Sequence, residues 1–238
     1  MQTIRVRTAA RLLAGAAGAA VMGYAGYAAI AWLRYGSPPA PGREDADARL
    51  DRFMPVYDVV ERHRIAVAAP ADVTLQAAGE ADMTESRAVR AIVKARELVL
   101  GAERDTTVHP RGLLALTTSM GWTVLDEAPG REIVVGAVTR PWDANVVFRA
   151  VPADAFAAFA EPGYVKIVWT LRADPAGPHD SIFRTETRAI ATDAAARLKF
   201  RRYWSFLSPG IIAIRWLSLR PIKADAERRS RGVTIHAA

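Results

Sequence analysis

Apolar residues along the chain follow three rhythms. Leu12–Leu33 runs 22 residues without a charge, about 30 Å if helical, which matches a bilayer core. From Val56 the rhythm becomes alternation: Val56–Val67 reads V-Y-D-V-V-E-R-H-R-I-A-V, a strand pattern. Pro70–Ala81 opens with Pro and Asp before apolar positions at Val73, Ala77 and Ala78, which predicts a helix over 70–81. Thr84–Leu100 starts with T-E-S and repeats Val89, Ile92, Val93, Arg96 and Leu100 at helical spacing, with Gly101 as a stop. Short strands are predicted over 112–118, 122–127, 131–140 and 145–151, and a brief helix over 152–160. Two long strands, 163–174 and 181–192, flank the turn-rich D-P-A-G-P-H-D. The third rhythm begins near Ala194. Phe200, Tyr203, Trp204, Leu207, Ile211 and Ile214 form one helical stripe, with Pro209 and Pro221 as expected kinks.

Charge refines the first rhythm. Arg5, Arg7 and Arg11 precede the uncharged run, and Trp32, Arg34 and Tyr35 follow it. This favours a retained single-pass anchor with the body on the extracytoplasmic side. A cleaved signal peptide, with Ala29-Ile30-Ala31 as its site, and a soluble Ala-rich helix are the other readings. Small residues at Gly15, Ala19 and Gly23 make a face on which two copies could pair as a homodimer. Ser37–Gly42, S-P-P-A-P-G, breaks the helix. The expected domains are therefore an anchor (1–35), a Pro/Gly and charged linker (36–52), a folded domain (53–230) and a tail (231–238).

The net charge of +7 sits at the ends. Residues 43–196 carry 18 basic and 23 acidic side chains, whereas 197–238 carry ten basic and two acidic. A body without a basic surplus argues against nucleic acid as a partner. The basic tail reads as a solvated helix face or as one that touches anionic lipid headgroups. The chain has no cysteine, which removes disulfides, thiolate metal sites and thiol nucleophiles.

The run T-E-T-R-A-I-A-T-D-A-A-A-R-L-K-F-R-R-Y-W carries a last strand directly into the long helix. With the segment order (strand, two helices, six strands, long helix) it resembles the helix-grip fold of the START-like (SRPBCC) superfamily, over roughly Phe53–Arg229. That superfamily includes polyketide cyclases/dehydrases, lipid-transfer domains and the major birch pollen allergen. The resemblance implies an α+β fold, a curved antiparallel sheet wrapped around the C-terminal helix. It also implies a cavity for a hydrophobic small molecule, a lipid or polyketide-like compound. Such a ligand would meet Trp142, Trp169, Phe183, Tyr203, Trp204 and Leu207, with Arg188 as a polar contact. The rival readings are a cyclase or dehydratase working in the same cavity, and a structural or partner-binding domain with a filled core.

Candidate chemistry is sparse. The four histidines are His63, His109, His179 and His236. Only His63 lies in a predicted strand, two residues from Glu61 on the same face, where a carboxylate can tune imidazole for acid–base work. A satisfied structural histidine explains it equally simply. In Ser181–Thr192, Arg184, Glu186 and Arg188 alternate with Phe183, Thr185, Thr187 and Ala189. The simpler assignment turns Phe/Thr/Ala inward and leaves a solvated charge ladder with Lys166 and Arg172. The other turns Glu186 and one arginine into the cavity, where they would have to pair. No H-E-x-x-H, G-x-S-x-G or phosphate-loop glycine pattern occurs, so neither a metal nor a cofactor is implied.

Overall fold

The structure is a computed structural model that describes residues 2–103 and 107–236. The side chains of Arg5, Arg7, Arg11 and His236, used in the sequence reading, lie outside the described residues. In chain order the elements are α1 (Gln2–Arg34), α2 (Ala48–Phe53), β1 (Val59–Val67), α3 (Ala71–Glu80), α4 (Arg87–Leu100), α5 (Leu113–Ser119), β2 (Thr123–Ala128), β3 (Glu132–Thr139), β4 (Phe148–Arg149), α6 (Ala153–Phe156), β5 (Val165–Pro175), β6 (Ser181–Ala191) and α7 (Ala194–His236).

The strands form one antiparallel sheet in the order β1-β6-β5-β3-β2, with β4 paired to β3. First and last strands are neighbours. The alternation of period 2 divides the sheet into two faces. One face carries Ile65, Leu171, Ala173 and Phe183 and packs under Leu219 and Ile222 of α7, with Leu75, Ala77 and Ala78 of α3 beside them. An antiparallel sheet carrying a long C-terminal helix on one face is the helix-grip arrangement that the segment order suggested.

Asp193 starts α7 directly after β6. Its Oδ1 accepts from the backbone N–H of Ala195 (2.8 Å) and Ala196 (2.9 Å), which satisfies two of the helix's free donors. The helix runs on through Pro209 and Pro221. At Gly210 an added Cβ would lie 2.9 Å from Ile92 Cγ2, so glycine is what lets α4 pack closely there.

Two expectations need correction and another finds no support. The segment 112–118 is helical rather than a strand, so five strands, not six, follow the first two long helices. Leu113 and Leu114 pack against the α3 side of the core, and Gly112, with φ of 92°, turns the chain into the helix. Second, no helix among the described residues is long and apolar enough to cross a membrane. Alanine and glycine, which dominate α1, contribute little hydropathy. The C-terminal part of α1 instead lies antiparallel to α7: Tyr27 Oη meets Ser208 Oγ at 2.8 Å, and Arg201 donates to the Trp32 carbonyl at 2.9 Å.

Third, the charge ladder of β6 faces away from α7, yet it is not solvated. Leu50 and Phe53 of α2, Met54 and Phe156 of α6 cover that face and form a second core with Val134, Val138 and Val168. Leu50, from the segment read as linker, is 0% exposed. The sheet is therefore the middle layer of three.

Candidate functional site

A cavity of about 610 Å³ opens between α4, α7, the segment from Thr139 to Phe148 and the α7 face of β5 and β6. Its walls are mostly apolar: Val93 from α4, Met120 and Trp122, Phe148, and Trp204 and Ile211 from α7. The amphipathic pattern of α4 and the 3-and-4 spacing of α7 bring these walls together. Ser86 fixes the start of α4, its Oγ accepting from the Val89 N–H at 3.3 Å, and left-handed Gly101 ends it.

Polar side chains also border this apolar space, among them Arg96, Thr139, Thr187 and Arg215. Arg96 donates from Nε to Tyr203 Oη (3.4 Å) and from Nη2 to the Pro141 carbonyl (3.2 Å). Thr139 Oγ1 donates to the Val147 carbonyl at 2.8 Å. Thr187 Oγ1 is buried without a partner. Arg215 lies over the Trp169 ring, 5.2 Å from its centroid.

The residues singled out from sequence are distributed unevenly around this space. Tyr203 and Trp204 line it. Trp169 is buried behind it, its ring 6.3 Å from that of Trp122. Trp142 packs on the neighbouring cluster of Tyr35, Val59 and Phe200, with Lys199 over its ring. Phe183 is buried farther along the sheet, in the cluster that holds Leu219 and Ile222. Leu207 is half-buried and is not part of the walls.

Glu186 and Arg188 are on the opposite face of the sheet and cannot reach a ligand here. Arg188 Nε donates to Glu186 Oε1 at 2.6 Å, and its Nη1 to Asp51 Oδ1 at 2.5 Å and the Met54 carbonyl at 2.8 Å. Arg62 closes the network on Glu186 at 2.9 Å. Each buried charge is thus paired and hydrogen-bonded.

Glu61 and His63 sit on the α7 face, on edge strand β1, in register with Thr187 and Thr185. His63 Nε2 is 3.8 Å from Glu61 Oε2, and the imidazole meets the Trp216 indole edge-on with centroids 5.1 Å apart. Burial pushes the Glu61 carboxyl up to about 7, against the pull of Arg215. Burial, helped by Arg215, lowers His63, so imidazole stays neutral. A carboxyl near 7 beside a neutral imidazole is suited to exchanging protons. Neither residue is a wall of the α4–α7 cavity; Glu61 borders the adjoining cleft between α1, β1 and α7.

Sequence reasoning did not single out Arg96, Thr187 and Arg215 as site residues. The signal was present: Arg96 stands on the apolar stripe of α4, and Arg215 follows Ile211 by four residues on α7. A lone cation on an apolar helix face marks a place where the face meets something other than core. Among the described residues no group of three or more His, Asp or Glu side chains is placed to hold a metal ion.

No family model matches the chain, and no curated protein matches its sequence. Among solved structures it is similar to a norcoclaurine synthase of Thalictrum flavum (11% identity, TM-score 0.32, 71% of this chain and 94% of that one). It is also similar to a hypothetical protein of Helicobacter pylori (8% identity, TM-score 0.40, 79% and 99%). A third is an aromatase/cyclase of a Streptomyces species (14% identity, TM-score 0.22, 71% and 94%). The fold assignment rests on the chain's own topology.

Proposed function

We propose that the chain is a binding protein for an apolar small molecule, held in the cavity between α4, α7 and the sheet. The observation that supports this is a space of about 610 Å³ with aromatic and aliphatic walls between α4, α7 and the sheet. A cavity of that volume, mainly apolar with a few convergent polar groups, has the character of a small-molecule site. An apolar body placed there would be removed from water at about 25 cal/mol per Å².

Titration of the full chain with the neutral fluorophore N-phenyl-1-naphthylamine tests this reading. One saturable site is expected, with energy transfer from Trp122 and Trp204, both at the walls. Linear, non-saturating fluorescence would refute it.

A further inference from the structure

We propose that the cavity takes an apolar acid, the ligand's carboxylate resting on the Arg215 guanidinium and its hydrocarbon or aromatic body lying against Val93, Trp122 and Trp204. This rests on the binding role proposed above and names the ligand class.

Arg215 borders the cavity and is half-buried, with the Trp169 ring beneath it. Among the described residues its guanidinium makes no hydrogen bond and has no carboxylate within 4 Å; its backbone carbonyl accepts from the Ser218 hydroxyl. The arginines of the opposite face differ: Arg62, Arg172, Arg184 and Arg188 each hold a carboxylate at 2.6–2.9 Å. A guanidinium taken from water without a counter-ion is costly, and an anion supplied by a ligand removes that cost. Burial holds its pKa down to about 10, still well above neutrality, so the side chain enters the cavity as a cation.

The surroundings fit a carboxylate. The charge felt most by Arg215 is Glu61. Burial leaves Glu61 partly protonated near neutral pH, so it compensates Arg215 only in part. Thr187 Oγ1, at the same cavity wall, is a buried hydroxyl without a partner. A guanidinium and a hydroxyl donor are what a carboxylate needs on one side, and charge-assisted bonds of this kind are roughly twice as strong as neutral ones. Two protein carboxylates also border the cavity: Glu97, taken by Lys94 at 3.0 Å, and Glu103 on the segment after α4. Arg96, on the α4 side, adds a second cation that is bonded only to neutral oxygens.

The test is displacement of bound N-phenyl-1-naphthylamine from the full chain at about pH 6.5 by decanoate and by methyl decanoate. These differ in charge and hardly in apolar surface. Decanoate is expected to displace the fluorophore at a concentration at least about tenfold lower than the ester. Arg215→Met should reduce that preference below about twofold with the ester unaffected. Equal potency of acid and ester on the wild type, a comparison that needs no variant, overturns the inference and leaves the cavity reading standing. So does an Arg215→Met protein that keeps the preference. A fluorophore that binds but is displaced by neither compound overturns the apolar-acid inference, and a fluorophore that never binds removes the cavity reading with it.

Discussion

Two arginines, a buried one on one face of the sheet and a half-buried one on the other, live under opposite conditions. On the α2 face Arg188 is 1% exposed and meets Glu186, Asp51 and the Met54 carbonyl within 2.8 Å. On the α7 face Arg215 sits on an indole ring and meets no carboxylate within 4 Å among the described residues. The polar atoms around them follow suit. Six buried side-chain nitrogen and oxygen atoms lack a partner among the described residues, and four of them are Thr185 Oγ1, Thr187 Oγ1 and both nitrogens of His63, all on the α7 face. The other two, Glu132 Oε1 and Arg184 Nη1, belong to groups with carboxylate or guanidinium neighbours. Buried polar groups of a finished core are satisfied. Of these groups Thr187 Oγ1 borders the α4–α7 cavity, where a ligand could satisfy it. The proposed site lies on the α7 face, and the paired charges lie on the α2 face.

The contrast can be broken by removing an arginine from each face. Arg188→Met should cost about 3 kcal/mol in urea unfolding, because it strips a buried network of its central donor and leaves Glu186 to Arg62 alone. Arg215→Met removes a half-buried charge that holds no carboxylate and should change stability by less than about 1 kcal/mol. Equal losses at the two positions would end the distinction between the faces.

Glu61→Gln sharpens it, with an effect between these two. The folded-state pKa of Glu61 is raised to about 7 from its ordinary 4.5, so the carboxyl costs nothing below about pH 4.5 and increasingly destabilises the fold as pH rises through 7. The variant lacks that penalty. Its stability advantage over the wild type should be near zero at pH 4.5, grow up to pH 7 and level off at about 2 kcal/mol above it, less than the full shift implies because the side chain is partly open to water. His63, whose pKa is lowered, contributes stability that is lost as pH falls. A difference independent of pH would place Glu61 in water.

Much of this architecture was legible in the residues. The alternation over 163–174 and 181–192 with D-P-A-G-P-H-D between them corresponds to β5, β6 and their hairpin, and the α7 stripe marks the helix that brings Tyr203 and Trp204 to the cavity. The helix at 113–119 was hidden because Thr117 and Thr118 look β-prone. Their hydroxyls instead bond back to the carbonyls of Leu113 (2.6 Å) and Leu114 (3.0 Å), so they are satisfied within the helix. The burial of Glu186 and Arg188 was not legible from β6 itself. It depends on α2 folding back over that face, and a charged, proline-flanked stretch gives no periodic sign that Leu50 and Phe53 will be core. Arg215 was legible in principle, as a charge on an apolar stripe, but its lack of a partner is a property of the assembled site.

The measurement that bears most directly on the ligand-holding cavity is a comparison of N-phenyl-1-naphthylamine binding to the wild type and to Val93→Trp. Val93 is an exposed α4 residue at the cavity wall, so indole there fills the space without disturbing either core. The account predicts one saturable site on the wild type and at least about tenfold weaker binding to the variant, with unchanged thermal unfolding. Equal affinity in the two proteins would contradict it.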